Sequence, residues 1–215
     1  MAEQGGPAPA APWQEVRKAA TRARILEAGR GLFAERGYAG TSIGDISEAA
    51  GVGVRTIYLH FPSKAAIMLA YFDGWLDAFV AAVRERPVEE PVADTVAAAL
   101  RAMADAGWVD RVGQDVALAY PFLDQLTAGS LDIAGHVMQR WMAAIADLAD
   151  DATTRAESPD PVRAHARAGA LFAAWVANMA AVHASSRGRP LPEGASGNSH
   201  GLEILRRMTG GELAQ

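Results

Sequence analysis

The run TSIGDISEAAGVGVRTIYLHFPSK, from Thr41 to Lys64, constrains the fold more than any other part of the chain. It reads as two short helices joined by a tight Ala-Gly turn. The first opens at Thr41 or Ser42, where Ser42 and Asp45 make a capping box ahead of the apolar Ile43, Ile46 and Ala50. It closes at Gly51, which can take the left-handed backbone that a sharp reversal requires. The second is expected from about Val52 to His60, with Val52, Ile57 and Phe61 at core spacing and Val54, Arg55, Tyr58 and His60 outward. Such a pair, with one face of its second helix left unburied, has the form of a helix-turn-helix that suits a major groove.

The segment AAGVGVRTIYLHFPSK, preceded by ARILEAGRGLFAERGYAGTS, resembles the DNA-binding domain of the tetracycline-repressor (TetR) family of bacterial regulators. The likeness covers about residues 20 to 67 and rests most on Tyr58, His60, Phe61, Ser63 and Lys64. Two positions depart from the family pattern: Gly53 stands where a serine more often caps the reading helix, and Gly44 where a longer polar residue is common. Both offer DNA only backbone. Gly29 and Gly31 interrupt the preceding helix, each costing about 1 kcal/mol relative to alanine. Ile25, Ala28, Leu32 and Phe33 nevertheless form one apolar stripe, so that helix is expected to hold through packing.

The resemblance implies an all-α chain, with an N-terminal three-helix helix-turn-helix domain followed by a helical ligand-binding and dimerisation domain. The expected division is a flexible Ala/Pro/Gly tail over 1–12, the DNA-binding domain over 13–64 and the effector-binding and dimerisation domain over 65–215. The net charge of −5 looks unsuited to a DNA binder until it is divided along the chain. Residues 1–64 hold eight Lys/Arg against six Asp/Glu, whereas residues 65–215 hold twelve against nineteen. Cations are therefore enriched around the motif, with Arg17, Lys18, Arg22 and Arg24 ahead of the first stripe. The excess is small, so affinity is expected to need two heads sharing phosphate contacts.

Beyond the motif the pattern is helical throughout. A helix is expected from Lys64 to about Arg86, with Ile67, Tyr71, Trp75, Phe79 and Val83 aligned. Pro87 and Pro91 bracket a break before a helix from about Val92 to Ala106. One short helix is expected among Gly107, Pro121 and Gly129. Leu131 to Asp150 forms a strong helix, DDATTRAESPDP a loop, Pro161 to Ser186 a long helix, GRPLPEGASGNS a linker and Gly201 to Met208 a last short helix. Ala166, Ala170, Ala173, Ala177, Ala181 and Ala184 recur at helical spacing, which would let another helix approach closely. By the resemblance, this helix and the C-terminal one would form a homodimer interface; the alternative is packing inside one monomer.

The resemblance implies double-stranded operator DNA as partner, and DNA contacts are expected from Thr41, Ser42, Gly53, Val54, Arg55, Thr56, Tyr58, His60 and Lys64. Arg55 can span O6 and N7 of guanine, and Val54 can lie against a thymine methyl. Tyr58, His60, Lys64 and the hydroxyl of Thr41 or Ser42 suit phosphates. A small-molecule effector is implied for the second domain, its apolar walls drawn from Trp75, Phe79, Met103, Trp108, Tyr120, Phe122, Trp141, Phe172, Trp175 and Met179. His136, Gln139, Asn178 and His183 would supply polar handles.

Other classes find little support. The five histidines show no metal spacing, the serines sit in no nucleophile elbow, and there is no phosphate loop, so neither an enzyme nor a cofactor is expected. The chain has no cysteine, which excludes disulfides and thiolate metal sites and fits a cytoplasmic location. The start MAEQGGPAPAAP lacks the pattern of a signal peptide, and Ala168 to Val182 is short for a bilayer and carries Asn178, so no membrane association is expected. The expected function is an effector-released repressor binding a palindromic operator as a homodimer. The alternatives are an activator of the same family, or a helical interaction protein that has lost DNA binding.

Overall fold

The computed structural model describes residues 12–108 and 130–186, which are helical apart from short connections and contain no strand. The helices are α1 (Pro12–Arg36), α2 (Ile43–Ala50), α3 (Val54–His60), α4 (Lys64–Met68), α5 (Ala70–Arg84), α6 (Val92–Asp105), α7 (Leu131–Arg155) and α8 (Pro161–Ser186). The chain divides into two compact units, Met1–Tyr71 and Phe72–Gln215. None of the described helices is long and apolar enough to cross a membrane. The expected tail, the short helix after Gly107 and the C-terminal helix lie outside the described residues.

In the first unit, α1 packs on α2 and α4, and α2 packs on α3. Ile25, Phe33, Ile46, Ile57, Phe61 and Ile67 fill the core between them. The division falls after Tyr71 rather than after Lys64 because α4 is part of this core: Ala65, Ala66 and Ile67 are all buried. The expected single helix from Lys64 is instead two helices, interrupted at Leu69, which caps α4 at φ −97° and ψ 9°.

Gly29 is explained by the same packing. A Cβ there would sit 2.7 Å from Ile67 Cγ2, whereas one at Gly31 would meet nothing within 4 Å. The two glycines therefore differ in kind. Gly31→Ala is expected to stabilise the head by about 0.5–1 kcal/mol through helix propensity and unfolded-chain entropy. Gly29→Val should cost about 1–3 kcal/mol by overpacking. Chemical denaturation of the two variants checks the contrast, and equal shifts would contradict it.

In the second unit, α8 packs along α7 and against α6. Asp160 starts α8 by accepting a hydrogen bond from Arg163 N at 3.0 Å, ahead of Pro161 in the first helical position. The expected loop after Asp150 is corrected: α7 runs five residues further, to Arg155. Local bonds sustain it, since Thr153 and Thr154 donate back to the carbonyls of Ala149 and Asp150, and Arg155 pairs with Asp151 one turn earlier. The two acids thus lie on a helix, and Asp151 is half-buried.

A polar network holds the α5–α6 connection. Thr95 is fully buried, donating to Glu90 at 3.0 Å and accepting from Arg167 at 2.9 Å. Arg86 bonds the same carboxylate, and chiefly for that reason the Glu90 carboxyl is held below its usual range. The buried hydroxyl is thereby satisfied on both sides.

Candidate functional site

The helix-turn-helix is built as its residues dictate. Ser42 Oγ accepts from Asp45 N at 3.1 Å, and Asp45 accepts in return from Ser42 N at 2.8 Å and from Ser42 Oγ at 2.7 Å. The hydroxyl bond, then the backbone one, lowers the Asp45 pKa. The folded state therefore favours the carboxylate, and the capping contribution is lost only as pH falls through that lowered value. At the other end of α2, Gly51 takes φ 62° and ψ 39°, with its N–H turned back to α2 carbonyls. Ser47 Oγ donates to Val52 O at 2.6 Å and fixes the turn.

The second helix starts at Val54, two residues later than expected. Gly53 is its N-cap and has no side chain to hold the first turn, so Val52 stays in the turn, half-buried, instead of serving as a core position. Ile57 and Phe61 form the buried side of α3. Val54, Arg55, Tyr58 and Leu59 form a continuous exposed stripe opposite. Leu59 is 72% exposed and was absent from the expected contacts, although its place four residues after Arg55 on one helix face could have revealed it. Thr56 and His60 lie at the edge of this stripe, half-buried. Gly53 and Gly44 are exposed and uncrowded.

Two expected phosphate contacts are corrected. Thr41 is 1% exposed, and its hydroxyl is committed to the carbonyls of Gly37 at 2.9 Å and Leu32 at 3.2 Å. Lys64 Nζ donates to the carbonyls of Tyr38 at 2.8 Å and Thr41 at 2.9 Å, lying 4.1 Å from the Tyr38 ring centroid. Both side chains fasten the connection between α1 and α2. Ser42 remains at the surface, with its hydroxyl engaged in the cap.

In the second unit, several expected effector walls pack together around Phe79. Phe79 is fully buried, stacked on Trp75 at 5.4 Å and 8° and meeting Phe172 edge-on at 6.2 Å and 71°. Met103 and Phe172 are also buried, and Trp75, Trp108 and Trp141 are half-buried. Trp108 lies over Gly74, where a Cβ would come within 3.2 Å of its ring. His136 Nε2 shares a hydrogen bond with Asp73 at 2.9 Å, and Arg140 holds Asp73 and Asp77. His136 thus ties α7 to α5 through Asp73. Gln139 is exposed, which corrects its expected role, because it follows Val137 by two residues and so falls on the opposite side of α7. Tyr120 and Phe122, and the side chains of Trp175, Asn178, Met179 and His183, lie outside the described residues.

Along α8, Ala164, Ala168, Leu171, Phe172 and Ala174 are buried, whereas Ala166 and Ala173 are exposed. Ala170, between them in the repeat, is half-buried, so the described part of the repeat lies along the margin of the core of its own unit. Leu131, Met138 and Met142 are 86%, 55% and 57% exposed on α7, an apolar stripe that the sequence pattern had not singled out.

Residues 25–71 match the family model described as bacterial regulatory proteins, tetR family. The chain is 47% identical over 54 residues to the HTH-type transcriptional regulator TtgR of Pseudomonas putida, covering 25% of this chain and 26% of that protein. It is 37% identical over 68 residues to the HTH-type transcriptional repressor KstR2 of Rhodococcus jostii, covering 32% and 33% respectively. The matched stretch thus spans about a quarter to a third of the length of these curated relatives. In fold, the chain is similar to Thermus thermophilus FadR, a TetR-family transcriptional repressor solved in complex with lauroyl-CoA. That likeness has a TM-score of 0.52 at 19% identity and covers 87% of this chain and 92% of that one.

Proposed function

We propose, from the premise that the chain belongs to the TetR family by its N-terminal DNA-binding domain, that it is a cytoplasmic repressor binding a palindromic operator as a homodimer. The observation that carries this reading is the exposed stripe of α3, with Arg55 at its centre and the opposite face locked into the head by Ile57 and Phe61. A helix held so rigidly can present side chains to base edges at fixed register. Arg55 is the base reader, Val54 and Leu59 offer apolar contact to thymine methyls, and Tyr58, with His60 and Thr56 at the margin, reaches phosphates. Repression follows because a dimer covering a palindrome blocks a promoter without touching polymerase.

The exposed apolar residues of α7 and the outward alanines of α8 support pairing of two copies through these helices. The Trp75–Phe79–Phe172 cluster supports a hydrophobic or aromatic effector in the second unit. Such a ligand releases DNA only by binding the release-competent state better than the DNA-competent one.

Selection of random duplex DNA on the purified protein tests the reading. A palindromic winner is expected, and absence of any enrichment would refute it. On the winning duplex, Arg55→Ala should lose about 1–3 kcal/mol of binding per head while a scrambled duplex is scarcely affected. An equal loss on both would reassign Arg55 to the phosphates.

A further inference from the structure

The N-terminal half of α1 is a helical overhang that the core of its unit does not explain. Trp13 to Ala20 and Arg22 to Arg24 are exposed, and burial begins only at Ile25. Those first turns carry Arg17, Lys18, Arg22 and Arg24 against the single acid Glu15. Lys18, Arg22, Ile25 and Gly29 follow one another at four-, three- and four-residue spacing. One stripe of α1 is thus apolar where it meets α4 and cationic where it runs past the core.

Two further observations give the overhang a direction and a partner. The Arg22 guanidinium lies 4.8 Å from the ring centroid of Phe61, the C-cap of α3, so the base of the cationic stripe touches the C-terminal end of the reading helix. Lys18 stands one turn further out. Among the described residues, no carboxylate pairs with Arg17, Lys18, Arg22 or Arg24, and Arg17 rests on the Trp13 ring instead, at 5.6 Å. In the second unit, by contrast, Arg84, Arg86, Arg140, Arg155 and Arg163 each hold an acid.

We propose that the α1 overhang is a second DNA-contact element, in which Arg17 and Lys18 bind backbone phosphates flanking the groove entered by α3. Arg22 is the positioning residue that ties the overhang to Phe61. The inference rests on the DNA-binding reading above and adds to it an element that carries affinity without sequence preference.

The test is Arg17→Gln/Lys18→Gln in the full chain. Both side chains are exposed, so the variant should keep the wild-type melting temperature. Binding to the selected duplex and to a scrambled duplex of equal length is measured from about 50 to 200 mM salt. The slope of log affinity against log salt should shrink by about 1.8 per head, so that the wild-type advantage falls roughly tenfold per head across that range. The loss should be the same on both duplexes, leaving the preference ratio unchanged. Equal slopes for variant and wild type would overturn the proposal, and so would a loss confined to the selected duplex, which would make the pair base readers. If wild type itself bound no duplex, the DNA-binding reading would fail first. Wild-type binding to anionic phospholipid vesicles, lost in the double variant, would then assign the overhang to a lipid surface.

Discussion

Phe79→Ala is expected to destabilise the second unit by about 3–5 kcal/mol, a larger effect than truncation of any exposed residue of that unit should have. Phe79 has no exposed surface and contacts an aromatic ring on two sides, with Trp75 stacked flat and Phe172 meeting it edge-on. Truncation removes the transfer free energy of a whole ring, opens a cavity that stiff aromatic neighbours cannot collapse into, and deletes two ring pairings. Phe79→Leu keeps most of the volume and should cost much less. Urea denaturation of the effector-free protein measures both. A loss below about 1 kcal/mol for Phe79→Ala would mean that the cluster is not closed and that Phe79 already faces open space. The expected result bears on regulation, because an effector entering among these residues must displace packed aromatic contacts. Its affinity will then depend on how readily that core opens.

Lys64→Met should cost the DNA-binding head about 2–4 kcal/mol, and for a reason unrelated to DNA. Methionine preserves much of the apolar stem but removes two charge-assisted donors, those reaching the carbonyls of Tyr38 at 2.8 Å and Thr41 at 2.9 Å. It also removes the ammonium from the Tyr38 ring. The loop that sets the start of α2 then loses its two charge-assisted ties and keeps weaker ones, among them the Thr41 hydroxyl and the Ser42 cap. Thermal unfolding of the variant reads the effect. If Lys64 acted only on phosphate, the melting curve would not move and the salt slope of DNA binding would fall by about 0.9 per head. Arginine should not restore stability, because its planar fork cannot place one small ammonium between two carbonyls.

Legibility in the sequence follows the range of the interactions involved. The cap of α2, its left-handed end at Gly51 and the start of α8 were readable, because each depends on residues within a few positions of one another. The same holds for the exposed stripe of α3, apart from Leu59, whose apolar character disguised its place on the outer face. The start of α3 was misplaced by two residues because Val52 looked like core. Its two bonds to Ser47, N–H to the backbone carbonyl and carbonyl from the hydroxyl, show that it belongs to the turn. The extension of α7 was missed because Asp-Asp and Thr-Thr are weak helix formers, whereas the ion pair and hydroxyl back-bonds that support them appear only once the helix exists.

Function divides along the same line. By itself the sequence determined the helix-turn-helix, its resemblance to the TetR family and the face of α3 that stays outside the core of the head, since local periodicity, capping chemistry and a short motif suffice for those. Only the tertiary structure decided that Thr41 and Lys64 serve the fold, that Gly29 exists to admit Ile67, and that Phe79 is sealed while Gln139 is not. It alone decided that the cations of α1 run past Phe61 without a carboxylate partner among the described residues. Each of these depends on partners far apart in the chain. Which of a residue's possible contacts is made is set by packing, and no spacing along the sequence encodes it.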